Sequence, residues 1–147
     1  MTREELTKAI LAAKKKKKLS WAKIAAAGGL SPAFVTAACM GQMQLPEKSA
    51  HGVAEILGLA AEAAELLQEI PYRGSLPTAV PTDPLIYRFY ELVQVYGTTW
   101  KELIQEEFGD GIMSAIDFDM TLERLPDPKG DRVKLVMSGK FLGYKKY

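Results

Sequence analysis

The first half of the chain carries apolar side chains at helical spacing, separated by short polar or glycine-containing breaks. Thr2 and Glu5 form a capping box, and the apolar positions after them predict a helix from about Arg3 into the lysines at 14–18. Serines and prolines then mark helix starts, and glycines mark helix ends. Four further short helices are predicted, from Trp21 to Ala27, from Pro32 to near Gly41, from about Glu47 to Leu57 and from about Ala60 to Glu69.

The second and third predicted helices have the spacing of a helix-turn-helix. Together the five helices predict a bundle like that of phage-repressor DNA-binding domains. The helix in the recognition position, from Pro32 to Met40, contains no charged residue and no amide. Base readout requires Arg, Lys, Asn or Gln at exposed positions. We therefore expect a repressor-like bundle that packs against protein and does not bind nucleic acid.

Prolines interrupt the chain four times between Pro71 and Pro84, which disfavours helix and predicts an extended connector. We place a domain boundary here, with the bundle in residues 1–75 and a smaller domain in residues 76–147. Capping signals in the smaller domain predict two helices, which run from Asp83 to Gly97 and from Thr99 to Gly109. A turn at 110–111 then leads into a short helical segment that carries Ser114.

Strict alternation of apolar and polar residues from Ile116 to Glu123 predicts a half-buried strand. A turn at 126–130 leads to a second strand from Val133 to Met137 and a short third segment through Phe141 and Leu142. Two or three short strands cannot cover their own edges and their apolar face. We therefore expect a partner chain to cover these edges and this face. The predicted fold class is α+β.

Composition narrows the range of functions. The apolar fraction of 48% and charged fraction of 25% are typical of a soluble globular protein, and 19 basic against 18 acidic residues argue against a nucleic-acid binder. We interpret the lysines at 14–18 as a solvated helix end rather than an anion-binding arm. The single cysteine, Cys39, excludes an intramolecular disulfide and is expected to be buried, and His51 has no partner for a metal. We expect a cytoplasmic protein with no membrane segment and no metal.

Candidate chemistry is concentrated in the smaller domain. Arg88 and Glu91 lie three residues apart and therefore on one helix face, among Tyr87, Phe89 and Tyr90. The run YRFYELVQVYGTT, followed by FGDGIMSAI, closely resembles the cyanase family, also called cyanate hydratase or cyanate lyase. The resemblance implies that Arg88, Glu91 and Ser114 are catalytic.

The resemblance also implies the reaction and the assembly. Bicarbonate, as co-substrate, attacks the cyanate carbon, and the mixed anhydride loses carbon dioxide to leave carbamate, which decomposes to ammonia and a second carbon dioxide. No metal or organic cofactor is implied. The strands of two subunits are expected to intertwine, and five such dimers are expected to form a homodecamer. The alternative function is a helix-turn-helix regulator whose carboxyl-terminal half only dimerises.

Simple electrostatics suggests roles for the three residues. The planar fork of Arg88 can hold a carboxylate-like anion such as bicarbonate, and Ser114 can donate its hydroxyl to substrate beside free backbone N–H groups. Glu91 either orients Arg88 or is protonated and donates a proton, and we favour the orienting role. Two substrate anions exceed the charge of one Arg88, so we expect sites shared between subunits, with a second Arg88 in each.

Overall fold

The computed structural model describes residues 1–146, and the chain divides into two compact units, Met1–Ser75 and a second unit that begins at Leu76. The first unit contains five helices and the second contains one long helix and an antiparallel hairpin, which confirms the predicted α+β class. Within residues 1–146, no single helix is long and apolar enough to cross a membrane; a bent pair of short helices, Trp21–Gly28 and Pro32–Cys39, reaches that length only when joined across a 96° bend.

The helices of the first unit start and end close to the predicted residues. They are α1 (Arg3–Lys16), α2 (Trp21–Gly28), α3 (Pro32–Cys39), α4 (Glu47–Leu57) and α5 (Ala61–Gln68). The capping box is present: the N–H of Thr2 donates to Glu5 Oε2 at 2.7 Å, and the N–H of Glu5 donates to Thr2 Oγ1 at 3.2 Å. The hydrogen bond from Thr2 also lowers the pKa of the Glu5 carboxyl.

The core of the first unit is formed by apolar side chains from all five helices, including Leu6, Ile10, Ile24, Val35, Val53, Leu57 and Leu67. Cys39 is buried as expected, and burial raises the pKa of its thiol to about 11.

Two residues position helices against each other. A Cβ at Gly52 would collide with the Ala27 carbonyl, so this glycine allows α4 to pack closely on α2. Arg3 donates to the carbonyl oxygens of Leu66 at 2.5 Å and Met43 at 2.8 Å, which ties the start of α1 to α5 and to the segment between α3 and α4.

The long helix of the second unit, α6 (Pro84–Phe108), corrects one prediction. Asp83 caps it as expected, since its Oδ1 accepts from the N–H groups of Leu85 and Ile86 at 2.9 and 3.0 Å. The predicted break at Gly97 is wrong, and no new helix begins at Thr99. A single glycine costs a helix interior only about 1 kcal/mol. The stacked rings of Tyr96 and Trp100, 6.4 Å apart, span the same turn.

The hairpin consists of β1 (Gly111–Leu125) and β2 (Arg132–Gly143), paired antiparallel with Leu122 opposite Leu135. Two predictions about this region are wrong. Ser114 lies in β1 and not in a helical segment, and the expected third strand is the end of β2. The chain does bend at Asp110, but Gly111, Ile112 and Met113 already pair with the end of β2, so the segment that was expected to be helical is extended instead.

A wide bulge interrupts β1 close to its start. Met113 pairs with Phe141 and Phe118 pairs with Gly139, so the four residues 114–117 face only Lys140. A Cβ at Gly139 would collide with the Ser114 carbonyl, so glycine is required where the bulge crosses the partner strand.

Candidate active site

The Arg88–Glu91 pair lies near the start of α6. Nη1 of Arg88 donates to Oε2 of Glu91 at 2.7 Å, as their spacing of three residues predicts. The two side chains are 61% and 47% exposed within this chain, and an exposed pair of this kind stabilises a fold by only about 0–1 kcal/mol. The Arg88–Glu91 pair therefore contributes little to the stability of the fold.

Aromatic rings lie beside the pair. Cζ of Arg88 lies over the ring of Tyr87, 5.5 Å from its centroid, and the rings of Tyr87 and Tyr90 are 5.9 Å apart. The guanidinium thus donates to a carboxylate at one corner and lies over an aromatic ring. Within residues 1–146, the remaining N–H groups of Arg88 have no hydrogen-bond acceptor, so an anion can bind along the free edge.

Ser114 lies in the β1 bulge and is 5% exposed. Its Oγ accepts from the backbone N–H groups of Ile116 and Asp117, both at 3.0 Å. This corrects the expectation that nearby N–H groups are free for an anion, because the serine itself occupies two of them. In the described part of the chain the Ser114 hydroxyl proton has no acceptor, so the hydroxyl is oriented by two donors and its proton remains free for a ligand.

The structure brings Arg88 and Glu91 into contact, whereas the hydrogen bonds of Ser114 stay within its own bulge. Sequence reasoning placed Tyr87 near the pair but did not identify its ring contact with Arg88, and it missed Gly139 as the residue that permits the bulge. A glycine inside a strand pattern is a recognised bulge signal and could have revealed it.

Other candidate sites are weaker. In the described residues, no three His, Cys, Asp or Glu side chains group as a metal site would require. A shallow depression of about 580 Å³ lies between α2 and α4 of the first unit, and Lys48, His51 and Glu55 are among its lining residues. It contains none of the predicted catalytic residues.

Comparisons with known proteins cover both units. The family model for the N-terminal domain of cyanate hydratase matches residues 3–71, and the model for the cyanate lyase C-terminal domain matches residues 78–146. The chain is 65% identical to a cyanate hydratase of Ralstonia pickettii and 63% identical to one of Dechloromonas aromatica, each over 147 residues and the full length of both chains. The crystal structure of cyanase from T. urticae matches with a TM-score of 0.83 and 38% identity, over 94% of this chain and 96% of that one.

Proposed function

We propose a bicarbonate-dependent reaction with cyanate for this chain, which belongs to the cyanate hydratase (cyanate lyase) family. The chain is an enzyme of that family, a carbon–nitrogen lyase. The observation that most supports the substrate is the 65% identity to a cyanate hydratase over the whole chain. No observation favours a helix-turn-helix regulator, since the matched relatives are named as cyanate hydratases.

The proposed reaction has two steps. A bicarbonate oxygen attacks the cyanate carbon, the nitrogen takes up a proton, and the mixed anhydride loses carbon dioxide to leave carbamate. Carbamate then takes up a proton and its carbon–nitrogen bond breaks, which releases ammonia and a second carbon dioxide. Bicarbonate supplies the nucleophile, so we propose that no metal or organic cofactor takes part.

Arg88 is proposed to hold the substrate anions. Two anions repel each other, and a fixed cation with several donors offsets that repulsion. The free edge of the Arg88 guanidinium presents parallel N–H groups that fit the paired oxygens of bicarbonate. The bond from Arg88 to Glu91 supports the orienting role of Glu91, because the carboxylate accepts at one corner and leaves that edge open.

Ser114 is proposed to donate its hydroxyl proton to a bound anion. The two N–H groups of the bulge fix the position of Oγ, so the O–H bond can point in only a few directions before substrate binds. A donor that is already oriented loses little entropy when it contacts the transition state. The bulge therefore acts as the support for this donor.

The surface of the second unit supports an oligomer. No residue of α6 is buried within this chain, and the hairpin exposes large apolar side chains, among them Ile116 at 98%, Val133 at 73% and Leu122 at 65%. Apolar surface of this extent favours contact with other chains. We propose homodimers through the strands, five of which form a decamer, with a second Arg88 contributed to each site by another subunit.

Subunit mixing tests the shared site. Wild-type chains refolded together with Arg88→Ala chains are expected to give less activity than the wild-type fraction alone predicts, because one altered copy affects a site that it shares. Activity proportional to the wild-type fraction, or a fully active isolated monomer, would contradict shared sites. The mass of each mixture confirms that assembly itself is unchanged.

An isotope experiment tests the reaction. With ¹³C-bicarbonate and unlabelled cyanate, we expect two carbon dioxide molecules for each ammonia, one of them labelled. A single unlabelled carbon dioxide per ammonia would indicate direct hydrolysis of cyanate and would overturn the proposal.

We also propose a cytoplasmic location, since Cys39 is a buried free thiol and secreted proteins of small size commonly rely on disulfides.

A further inference from the structure

We infer that Tyr87 is a positioning residue for this reaction, because its ring contacts the Arg88 guanidinium that binds the substrate anions and restrains its position. The inference rests on the proposed function, in which Arg88 holds cyanate or bicarbonate. Tyr87 itself need not touch substrate, so its effect is exerted through Arg88.

The contacts form a chain along one turn of α6. Cζ of Arg88 lies 5.5 Å from the centroid of the Tyr87 ring, which is within the range of a cation–π contact. The Tyr87 ring in turn lies 5.9 Å from the Tyr90 ring, with a tilt of 39° between them. Tyr90 therefore limits the movement of Tyr87, and Tyr87 limits the movement of Arg88.

A second restraint on Arg88 is needed because the first is incomplete. Arginine has a long side chain with several rotatable bonds, and the Arg88 side chain is 61% exposed in this chain. Glu91 binds it through Nη1 alone, so the guanidinium can still rotate about that single hydrogen bond. The contact of Cζ with the Tyr87 ring restrains the group at a second point, and the N–H groups that Glu91 does not use remain available for an anion. The ring and the carboxylate thus restrain the same group at different points.

The test measures anion binding separately from turnover, with malonate as an inert dianion probe. Isothermal titration gives its dissociation constant for wild type, Arg88→Ala, Tyr87→Leu and Tyr87→Phe, each confirmed by mass as the same oligomer. Tyr96→Leu is the matched control, since Tyr96 lies further along α6 and stacks on Trp100. Steady-state kinetics then give kcat and KM for bicarbonate.

We expect Tyr87→Leu to weaken malonate binding and raise KM for bicarbonate by about 2- to 30-fold, the range of exposed to desolvated cation–π contacts. Tyr87→Phe keeps the ring and is expected to stay within about twofold of wild type, as is Tyr96→Leu. A merely structural role would lower kcat in proportion to lost oligomer and leave the malonate affinity of the remaining oligomer unchanged.

The opposing outcomes are distinguishable. If Arg88→Ala weakens malonate binding and Tyr87→Leu does not, the positioning role is refuted while the proposed site stands. If Tyr87→Phe weakens malonate binding as much as Tyr87→Leu does, the aromatic ring does not account for the affinity and the inference also fails. If Arg88→Ala leaves malonate binding unchanged, the proposed anion site itself is wrong.

Discussion

Replacing Ser114 with alanine tests two roles of this residue, its observed role in the bulge and its proposed role as a donor to substrate. The hydroxyl oxygen accepts from two backbone N–H groups at 3.0 Å, and the residue is 5% exposed. Each such hydrogen bond contributes about 0.5–1.5 kcal/mol, so Ser114→Ala should destabilise the fold by about 1–3 kcal/mol. For a chain of this size, that corresponds to a fall in the melting temperature of about 2–12 °C.

Loss of the hydroxyl proton should affect the rate independently of stability. An oriented donor of this kind contributes about 2–4 kcal/mol to transition-state stabilisation, so Ser114→Ala should lower kcat by about 30- to 1,000-fold. Ser114→Asn supplies a side-chain oxygen that can accept from the same two N–H groups, as in an Asx turn, but its amide N–H donors extend beyond the position of the serine hydroxyl. Its melting temperature should recover toward wild type while its rate stays low.

The assay combines thermal unfolding at one fixed chain concentration with initial rates of ammonia release well below the melting temperature. Ser138→Ala is the control, because Ser138 is an exposed serine on the paired strand β2. It should change neither property. A wild-type rate for Ser114→Ala would refute the donor role and reduce Ser114 to a structural residue of the bulge. Unchanged stability of Ser114→Ala would refute the structural role.

Three further predictions concern other parts of the chain. Arg88→Lys should nearly abolish activity with the fold and oligomer intact, since a point charge cannot replace the planar fork, and substantial activity would place the anion site elsewhere. The first unit should show no specific DNA binding in a mobility-shift assay with competitor DNA. Any weak, salt-sensitive binding should disappear when the lysines at 14–18 are replaced by glutamine. A shift that persists with competitor DNA and after the lysines are replaced would contradict the interpretation of α3. The raised pKa of the Cys39 thiol, about 11 in the fold against a usual 9.0, should leave stability intact below pH 9 and decrease it by up to about 2–3 kcal/mol as the pH rises toward 11. Chemical unfolding of wild type and Cys39→Ala across pH 8–11 checks this, and parallel pH profiles would refute it.

The sequence predicted the first unit well because its helix signals are local. A capping box such as Thr2 with Glu5 satisfies backbone donors within one turn, so the start of α1 follows from adjacent residues. The roles of Arg3 and Gly52 could not be predicted in the same way. Arg3 binds carbonyl oxygens more than 30 residues away, and Gly52 matters only because α2 passes beside it.

The second unit shows where local signals fail. Gly97 carries the pattern of a helix end, but the helix continues through it and ends at Gly109, where φ is 90°. The bulge that holds Ser114 depends on Gly139 of the opposite strand, so its only sequence signal is the glycine within β2 and not the residues around Ser114. The Arg88–Glu91 contact was predictable from spacing alone.

The central claim is that this chain decomposes cyanate with bicarbonate through the Arg88 site. The most direct test is the initial rate of ammonia release from cyanate in buffer freed of carbon dioxide and in the same buffer with added bicarbonate. We predict a negligible rate without bicarbonate, a saturable rise when it is added, and no rise for Arg88→Lys. Equal rates with and without bicarbonate, or a bicarbonate response that Arg88→Lys retains, would contradict the claim.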